Sequence, residues 1–281
     1  MKLSHQQIDG YGRDGFLVVE DFAAARDCDA LMARAGELVD AFDPSQVSIF
    51  STTDQEHLTD QYFLDSGDKI RFFFEEDAFD GDGDGELRQD KALSINKIGH
   101  AMHDLDPVFE KFSRAPDLAD VVDQLGISDP RALQSMYIFK QPHIGGEVVY
   151  HQDSTFLYTE PMSVMGLWFA LEDATQDNGC LWVLPGGHMD GIKSRFVRTG
   201  GGGVETIVHD ASGWPGDGFV PVEVPKGTLV VLHGSLPHGS KPNRSALSRH
   251  AYTLHVIDGA CDYPADNWLQ RGADMPARGL R

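Results

Sequence analysis

Apolar and polar positions change rhythm part-way along this chain. In the first part they recur at helical spacing. Over residues 23–42, AAARDCDALMARAGELVDAF, the side chains of Leu31, Met32, Ala35, Leu38 and Val39 share one helical face. A shorter helix is predicted over 4–13, with Ser4 as its N-cap, and GFLVV (15–19) reads as a strand. LSINKIGHAMHDLDPVFEKF (93–112) reads as a helix that ends near Pro107 and resumes after it. PDLADVVDQLG (116–126) reads as another, stopped by Gly126.

From Ala132 onward the pattern shortens to β-rich runs broken by turn residues: LQSMYIFKQ, GEVVYHQD, SVMGLWFALED, CLWVLP, GTLVVLHG and SRHAYTLHVID. Asn178-Gly179, ahead of CLWVLP, is a hairpin turn signal. Many short strands at fairly regular spacing predict a sandwich or barrel. The expected fold is mainly β with flanking helices, in one domain over 1–281. Its helical part runs to about 130 and its barrel or jelly-roll core spans about 131–260.

Composition narrows the function classes. The 281 residues suffice for a real core, and 41% hydrophobic content is ordinary for a globular protein. The longest apolar runs are too short to span a bilayer, and MKLSHQQIDGYGRDGF lacks the apolar stretch of a secretory signal. Cys28, Cys180 and Cys261 are widely spaced and odd in number, which fits a reducing, cytoplasmic location. A net charge of −21 argues against nucleic acid and against an anionic membrane surface. It leaves room for an anionic small molecule held by a local Lys or Arg.

Two acidic or glycine-rich segments invite function and do not support it. DGDGDG (80–85) begins like a calcium loop, but the twelfth position is Lys91, where a bidentate Glu is required. It reads as an acidic surface loop. GGGG (200–203) lacks the strand–helix context of a phosphate cradle and reads as a mobile loop suited to a lid. His100 and His103 lie three apart in the predicted helix and read as packing or surface residues.

The chemistry concentrates in VVYHQDSTF. In a strand, His151 and Asp153 point to one face while Tyr150 and Gln152 look away. An imidazole and a carboxylate there supply two of the three ligands of a facial triad for ferrous iron. A second histidine completes it, and His233, His238, His250 and His255 are all in reach of sequence argument. His238 stands after a buried-looking strand and a proline, at the mouth of the next turn. Eleven residues later, Arg249 opens the following strand. Two antiparallel strands joined by a loop would bring His238 and Arg249 into one pocket. Arginine forks onto carboxylates, so iron beside Arg249 suits a dicarboxylate chelator such as 2-oxoglutarate. By itself, His-x-Asp also fits a structural polar pair at a strand end.

From about Ser94 to Gln270 the chain resembles the phytanoyl-CoA dioxygenase family of Fe(II)- and 2-oxoglutarate-dependent oxygenases. It is most similar to the subgroup called phytanoyl-CoA dioxygenase domain-containing proteins. The resemblance is carried by INKIGHAMHDLDPVF, QSMYIFKQPHIGGEVVYHQDSTFLYTEP, GLWFALEDATQDNGCLWVLPGGH and HGSKPNRSALSRHAYTLH. It implies a double-stranded β-helix, a jelly-roll relative of the cupins. It implies His151, Asp153 and His238 as iron ligands and Arg249, with Ser240 beside it, for the far carboxylate of 2-oxoglutarate. Lys97, Met136, Gln152 and Trp168 match positions lining the co-substrate pocket. The plainer readings are a solvated helix lysine for Lys97, core packing for Met136 and Trp168, and a turn residue for His188.

The implied reaction takes dioxygen, 2-oxoglutarate and a small organic substrate, and hydroxylates the substrate with release of succinate and CO₂. Ascorbate is expected as activity support. In related halogenases the carboxylate ligand is missing, so Asp153 favours oxygenation. The acidic balance, with no Lys/Arg cluster for CoA phosphates, weighs against an acyl-CoA substrate. Two other readings use the same residues. One is a non-catalytic jelly roll that binds a metal or small ligand. The other is a zinc hydrolase, which would not need Arg249.

Overall fold

The computed structural model describes residues 1–44, 48–52, 61–80 and 86–281, so 81–85 of the acidic loop lie outside the described residues. Helix α1 (His5–Asp14) starts at Ser4. The Ser4 hydroxyl accepts from the Gln7 N–H, and the Gln7 side chain accepts from the Ser4 N–H, a reciprocal cap. Strand β1 (Phe16–Val19) and helix α2 (Ala25–Ala41) follow, and α2 buries Cys28, Leu31, Ala35 and Val39. A short helix α3 (Gln61–Leu64) precedes β2 (Ile70–Phe74).

The segment 93–112 departs from the helix expected of it. Ile95–His100 is a strand, β3, and only then come helices α4 (Met102–Leu105) and α5 (Pro107–Ser113). β3 fills the gap between β2 and the next strand, so pairing on both sides overrides the local helical spacing. Asp106 caps α5, its Oδ1 accepting from Val108 N and Phe109 N, with Pro107 at the first helical position. Helix α6 (Pro116–Gln124) is followed by Gly126 at φ +105°.

The strands then run β4 (Pro130–Ile138), β5 (Val148–His151), β6 (Met165–Ala170), β7 (Leu181–Val183), β8 (Ser194–Arg198) and β9 (Val204–Val208). They continue with β10 (Val220–Val222), β11 (Leu229–His233), β12 (His238–Ser240), β13 (Ala251–Asp258) and β14 (Arg278–Gly279). The large sheet has the order β1-β11-β6-β13-β4-β3-β2, with β14 also on β4. A second sheet has the order β10-β7-β12-β5, and β8 and β9 form a two-stranded sheet. All these pairings are antiparallel. The result is a jelly roll of the double-stranded β-helix kind, with helices flanking it. β1, β2 and β3 show that the part before residue 131 is not purely helical: it supplies both edges of the large sheet.

Strand periodicity separates two faces. Tyr137, Phe169, Tyr252, Leu254 and Val256 pack outward in one cluster with Leu31, Phe109 and Leu118 of the helices. Trp168, Leu181, Val183, Val230, Leu232 and Ala251 pack between the sheets. Asn178-Gly179 does form a turn, with Gly179 at φ +84°, but it is not a hairpin. β6 and β7 belong to different sheets, so the turn carries the chain from one to the other. His238 and Arg249 likewise reach one cavity, His238 from β12 and Arg249 from the segment two residues ahead of β13 in the other sheet, rather than from paired strands.

Candidate active site

Between the sheets lies a cavity of about 460 Å³. Its inward positions alternate along the strands: Gln134, Met136 and Ile138 on β4, Gly166 and Trp168 on β6, Thr253 and His255 on β13. Most of the wall is apolar. Asp153 is the one carboxylate among the described lining residues, against three buried cationic side chains, Lys97, Lys140 and Arg249.

His151 ends β5, and its cross-strand partner is His238 on β12. Asp153 opens a short 3₁₀ turn (Asp153–Thr155) two residues on. The two imidazole centres are 4.4 Å apart. Asp153 Oδ1 lies 3.8 Å from His151 Nε2 and 3.7 Å from His238 Nε2. One donor atom from each residue falls within 4.8 Å of the others. The Nδ1 of His151 is 2.9 Å from the Val149 carbonyl, and that of His238 is 2.9 Å from the Leu236 carbonyl. A carbonyl only accepts, so each Nδ1 carries the hydrogen and each Nε2 offers its lone pair. Enclosure in the cavity, then the neighbouring His238, push His151 down to about 4, which keeps the ring neutral near pH 7. Burial alone would raise the Asp153 carboxyl. The neighbouring imidazoles of His255 and His238 and a hydrogen bond from His255 outweigh it and bring the group below the ordinary carboxylate value.

The donor set fits a ferrous ion. Two neutral imidazoles and one carboxylate leave open positions, and Asp153 Oδ2 is buried with no hydrogen-bond partner. Gly166 makes the carboxylate's room, since a β-carbon there would lie 2.7 Å from Asp153 Oδ2. His255 Nε2 stands 3.2 Å from Asp153 Oδ1 and orients it.

The residues expected around a dicarboxylate are mostly gathered. Arg249 is 1% exposed, donates from Nε to the Gly179 carbonyl at 3.1 Å, and has an Nη1 without a partner. Its guanidinium carbon lies 5.3 Å from the Trp168 ring. Ser240, Met136 and Trp168 line the same cavity. Lys97 is no solvated helix lysine. It is buried on β3 with Nζ 3.2 Å from the Phe50 ring centre and 4.0 Å from Met136 Sδ, and burial lowers it well below the ordinary lysine value. Gln152 is placed differently. It does not line the cavity among the described residues; its Nε2 donates to the Gly191 and Ser235 carbonyls at 2.7 Å, and its Oε1 accepts from Lys193 N. It ties two loops together behind the metal ligands.

Sequence reasoning passed over other residues. His100 lines the cavity, with Nδ1 on Ser66 and Nε2 unpartnered, whereas His103 is buried against Ser135 and Asp104. Lys140 and Gln134 also face the cavity; alternation with Met136 along β4 was the available signal for Gln134, while Lys140 stands two residues past the end of that strand. His188 sits in the 3₁₀ turn Gly187–Asp190, beside His233 and outside the triad. Gly200–Gly203 forms the tip of the β8–β9 hairpin and does not line the cavity; Thr206, Ser212 and Trp214 beyond it do.

The family model for phytanoyl-CoA dioxygenase matches residues 11–251. The chain belongs to the phytanoyl-CoA dioxygenase family. It is similar to a phytanoyl-CoA dioxygenase of Arabidopsis thaliana, 49% identical over 275 residues, which are 98% of this chain and 95% of the relative. It is 46% identical to the mouse phytanoyl-CoA dioxygenase domain-containing protein 1, with 98% and 97% of the two chains covered. Its fold is shared with EctD from S. alaskensis, solved with 2-oxoglutarate and 5-hydroxyectoine. There the TM-score is 0.64 at 19% identity, over 96% of this chain and 88% of that one. A member of this family with the complete triad is an enzyme of the 2-oxoglutarate-dependent oxygenase class.

Proposed function

We propose that this phytanoyl-CoA dioxygenase family member hydroxylates a small, largely apolar organic substrate, releasing succinate and CO₂. The observation that carries the reading is one cavity holding His151, Asp153 and His238 together with a buried Arg249 whose Nη1 lacks a partner. Fe(II), when bound, supplies dioxygen activation coupled to the oxidative decarboxylation of 2-oxoglutarate. His151, Asp153 and His238 hold it. Arg249 and Ser240 receive the far carboxylate of 2-oxoglutarate, which positions the chelating end at the triad. Met136, Trp168 and Ile138 wall that space against water.

The substrate takes the remaining, aromatic end of the cavity, bounded by Phe63, Phe156, Phe196, Trp214 and Trp268. His100 Nε2 and Trp268 Nε1 are buried there without partners, a lone-pair acceptor beside an N–H donor for a polar group on the substrate. A CoA thioester suits the mouth poorly. Lys193 is the one cationic side chain at the rim among the described lining residues, and its ammonium is engaged by Asp210 and Ser212.

The test is succinate release by the purified chain with Fe(II), 2-oxoglutarate, oxygen and ascorbate, without added substrate. Slow succinate formation that disappears in His151→Ala is the expected result. No succinate, together with no 2-oxoglutarate binding to the Mn(II)-loaded protein under anaerobic conditions, would overturn the reading.

A further inference from the structure

Lys140 lies just after β4, is 2% exposed and takes a left-handed backbone at φ +42°, a conformation a lysine adopts only where its surroundings hold it. Its Nζ donates to the Gly146 carbonyl at 2.6 Å and to Ser240 Oγ at 2.8 Å. An ammonium has three hydrogens, and the third has no acceptor among the described residues. Ser240 accepts from Lys140, so its own hydroxyl hydrogen must go elsewhere, and no acceptor meets it among the described residues. Arg249 Nη1 is the third idle donor.

One glycine seats both cations. The Gly179 carbonyl accepts from Arg249 Nε, and a β-carbon at Gly179 would lie 2.6 Å from Lys140 Cε. The counter-charge is thin. Glu75 is 1% exposed, its Oε2 accepts from Asn96 Nδ2 and Gly146 N, its Oε1 has no partner, and burial raises its carboxyl. Of the carboxylates acting on these two basic groups, Glu147 and Glu172 are not buried, and the buried one, Glu75, is itself reluctant to ionise. A lysine serving structure alone would be paired out.

We propose that Lys140 is a third donor to the far carboxylate of the 2-oxoglutarate co-substrate, beside Arg249 and Ser240, and that it fixes the Ser240 hydroxyl as a donor to that carboxylate. This rests on the reading of the cavity as a 2-oxoglutarate site. The charged groups acting on Lys140 are Arg249 and Arg244, which lower it, and Glu75 and Glu147, which raise it; burial outweighs them and brings it down to about 7. An anion seated between Lys140 and Arg249 raises it again. Binding above pH 7 therefore takes up a proton, and affinity declines as pH rises past 7.

The experiment is anaerobic calorimetry of 2-oxoglutarate binding to the full chain loaded with Mn(II). Lys140→Met is expected to weaken binding about tenfold or more, the size of one hydrogen bond to a charged group, with Mn(II) affinity unchanged. Wild-type binding at pH 8 is expected to take up protons, read from the difference in heat between buffers of unlike ionisation enthalpy, and Lys140→Met to abolish that uptake. Unchanged affinity in a folded Lys140→Met protein would overturn the assignment. So would wild-type binding at pH 8 without proton uptake, which needs no variant. Either result leaves the proposed function standing, whereas a wild type that binds no 2-oxoglutarate would bring down both.

Discussion

Asp153 and Gly166 are complementary at the scale of single residues. The carboxylate is buried against a strand position where any side chain would collide with it. Gly166→Ala should therefore displace Asp153 rather than disturb the sheet, since Gly166 is an ordinary inner position between β11 and β13. The expected outcome is Mn(II) affinity lowered at least tenfold, with a thermal midpoint within a few degrees of wild type. Wild-type metal affinity in that variant would show that the carboxylate has more room than the backbone suggests. The two histidine ligands are set by a different device. Each gives its Nδ1 hydrogen to the carbonyl two residues before it, Val149 or Leu236, so ligand orientation is built into the same strand or turn that delivers the residue.

At the scale of elements, the helices act as a backing for the large sheet. The tie between α2 and α5 is Asp106, which caps α5 through Oδ1 and accepts from Arg34 Nε at 2.7 Å through Oδ2. Asp106→Ala removes a cap and leaves Arg34 without this partner. Unfolding free energy should drop by about 2 kcal/mol in denaturant titrations, with 2-oxoglutarate affinity unchanged, because Asp106 lies outside the cavity. A weakened co-substrate affinity would mean that the helical layer tunes the site. β3 is the element that joins both functions. It closes the sheet between β2 and β4, and it turns Lys97 inward to the cavity. Its sequence, INKIGH, runs directly into genuine helix residues, so a window spanning both reads as one helix.

At the scale of the whole molecule, burial of imidazoles ties stability to pH. His151 and His233 are pushed down to about 4, chiefly by burial, and His100, His103 and His250 are also lowered by it. The unfolded chain thus binds more protons than the folded one below about pH 6.5, the ordinary histidine value. Stability is full above that value and falls as the pH drops toward 4. Thermal scans of the metal-free protein should show the midpoint descending through that window; a flat profile would contradict the buried, neutral rings. Pattern and motif alone specified much of this protein: the β-rich second half, the helices α1, α2 and α6, and the likeness of HQD, His238 and Arg249 to a known ligand set. Such features are local, because strand alternation, helix caps and short motifs depend on residues near in sequence. Which histidine supports Asp153, why Gln152 turns away, and that Lys140 meets Ser240 were settled by packing. Those contacts join β13 to the turn after β5, and the segment just past β4 to β12, across 100 residues or so of chain. No periodicity encodes a meeting between opposing sheets; it arises only when both sheets close over one cavity.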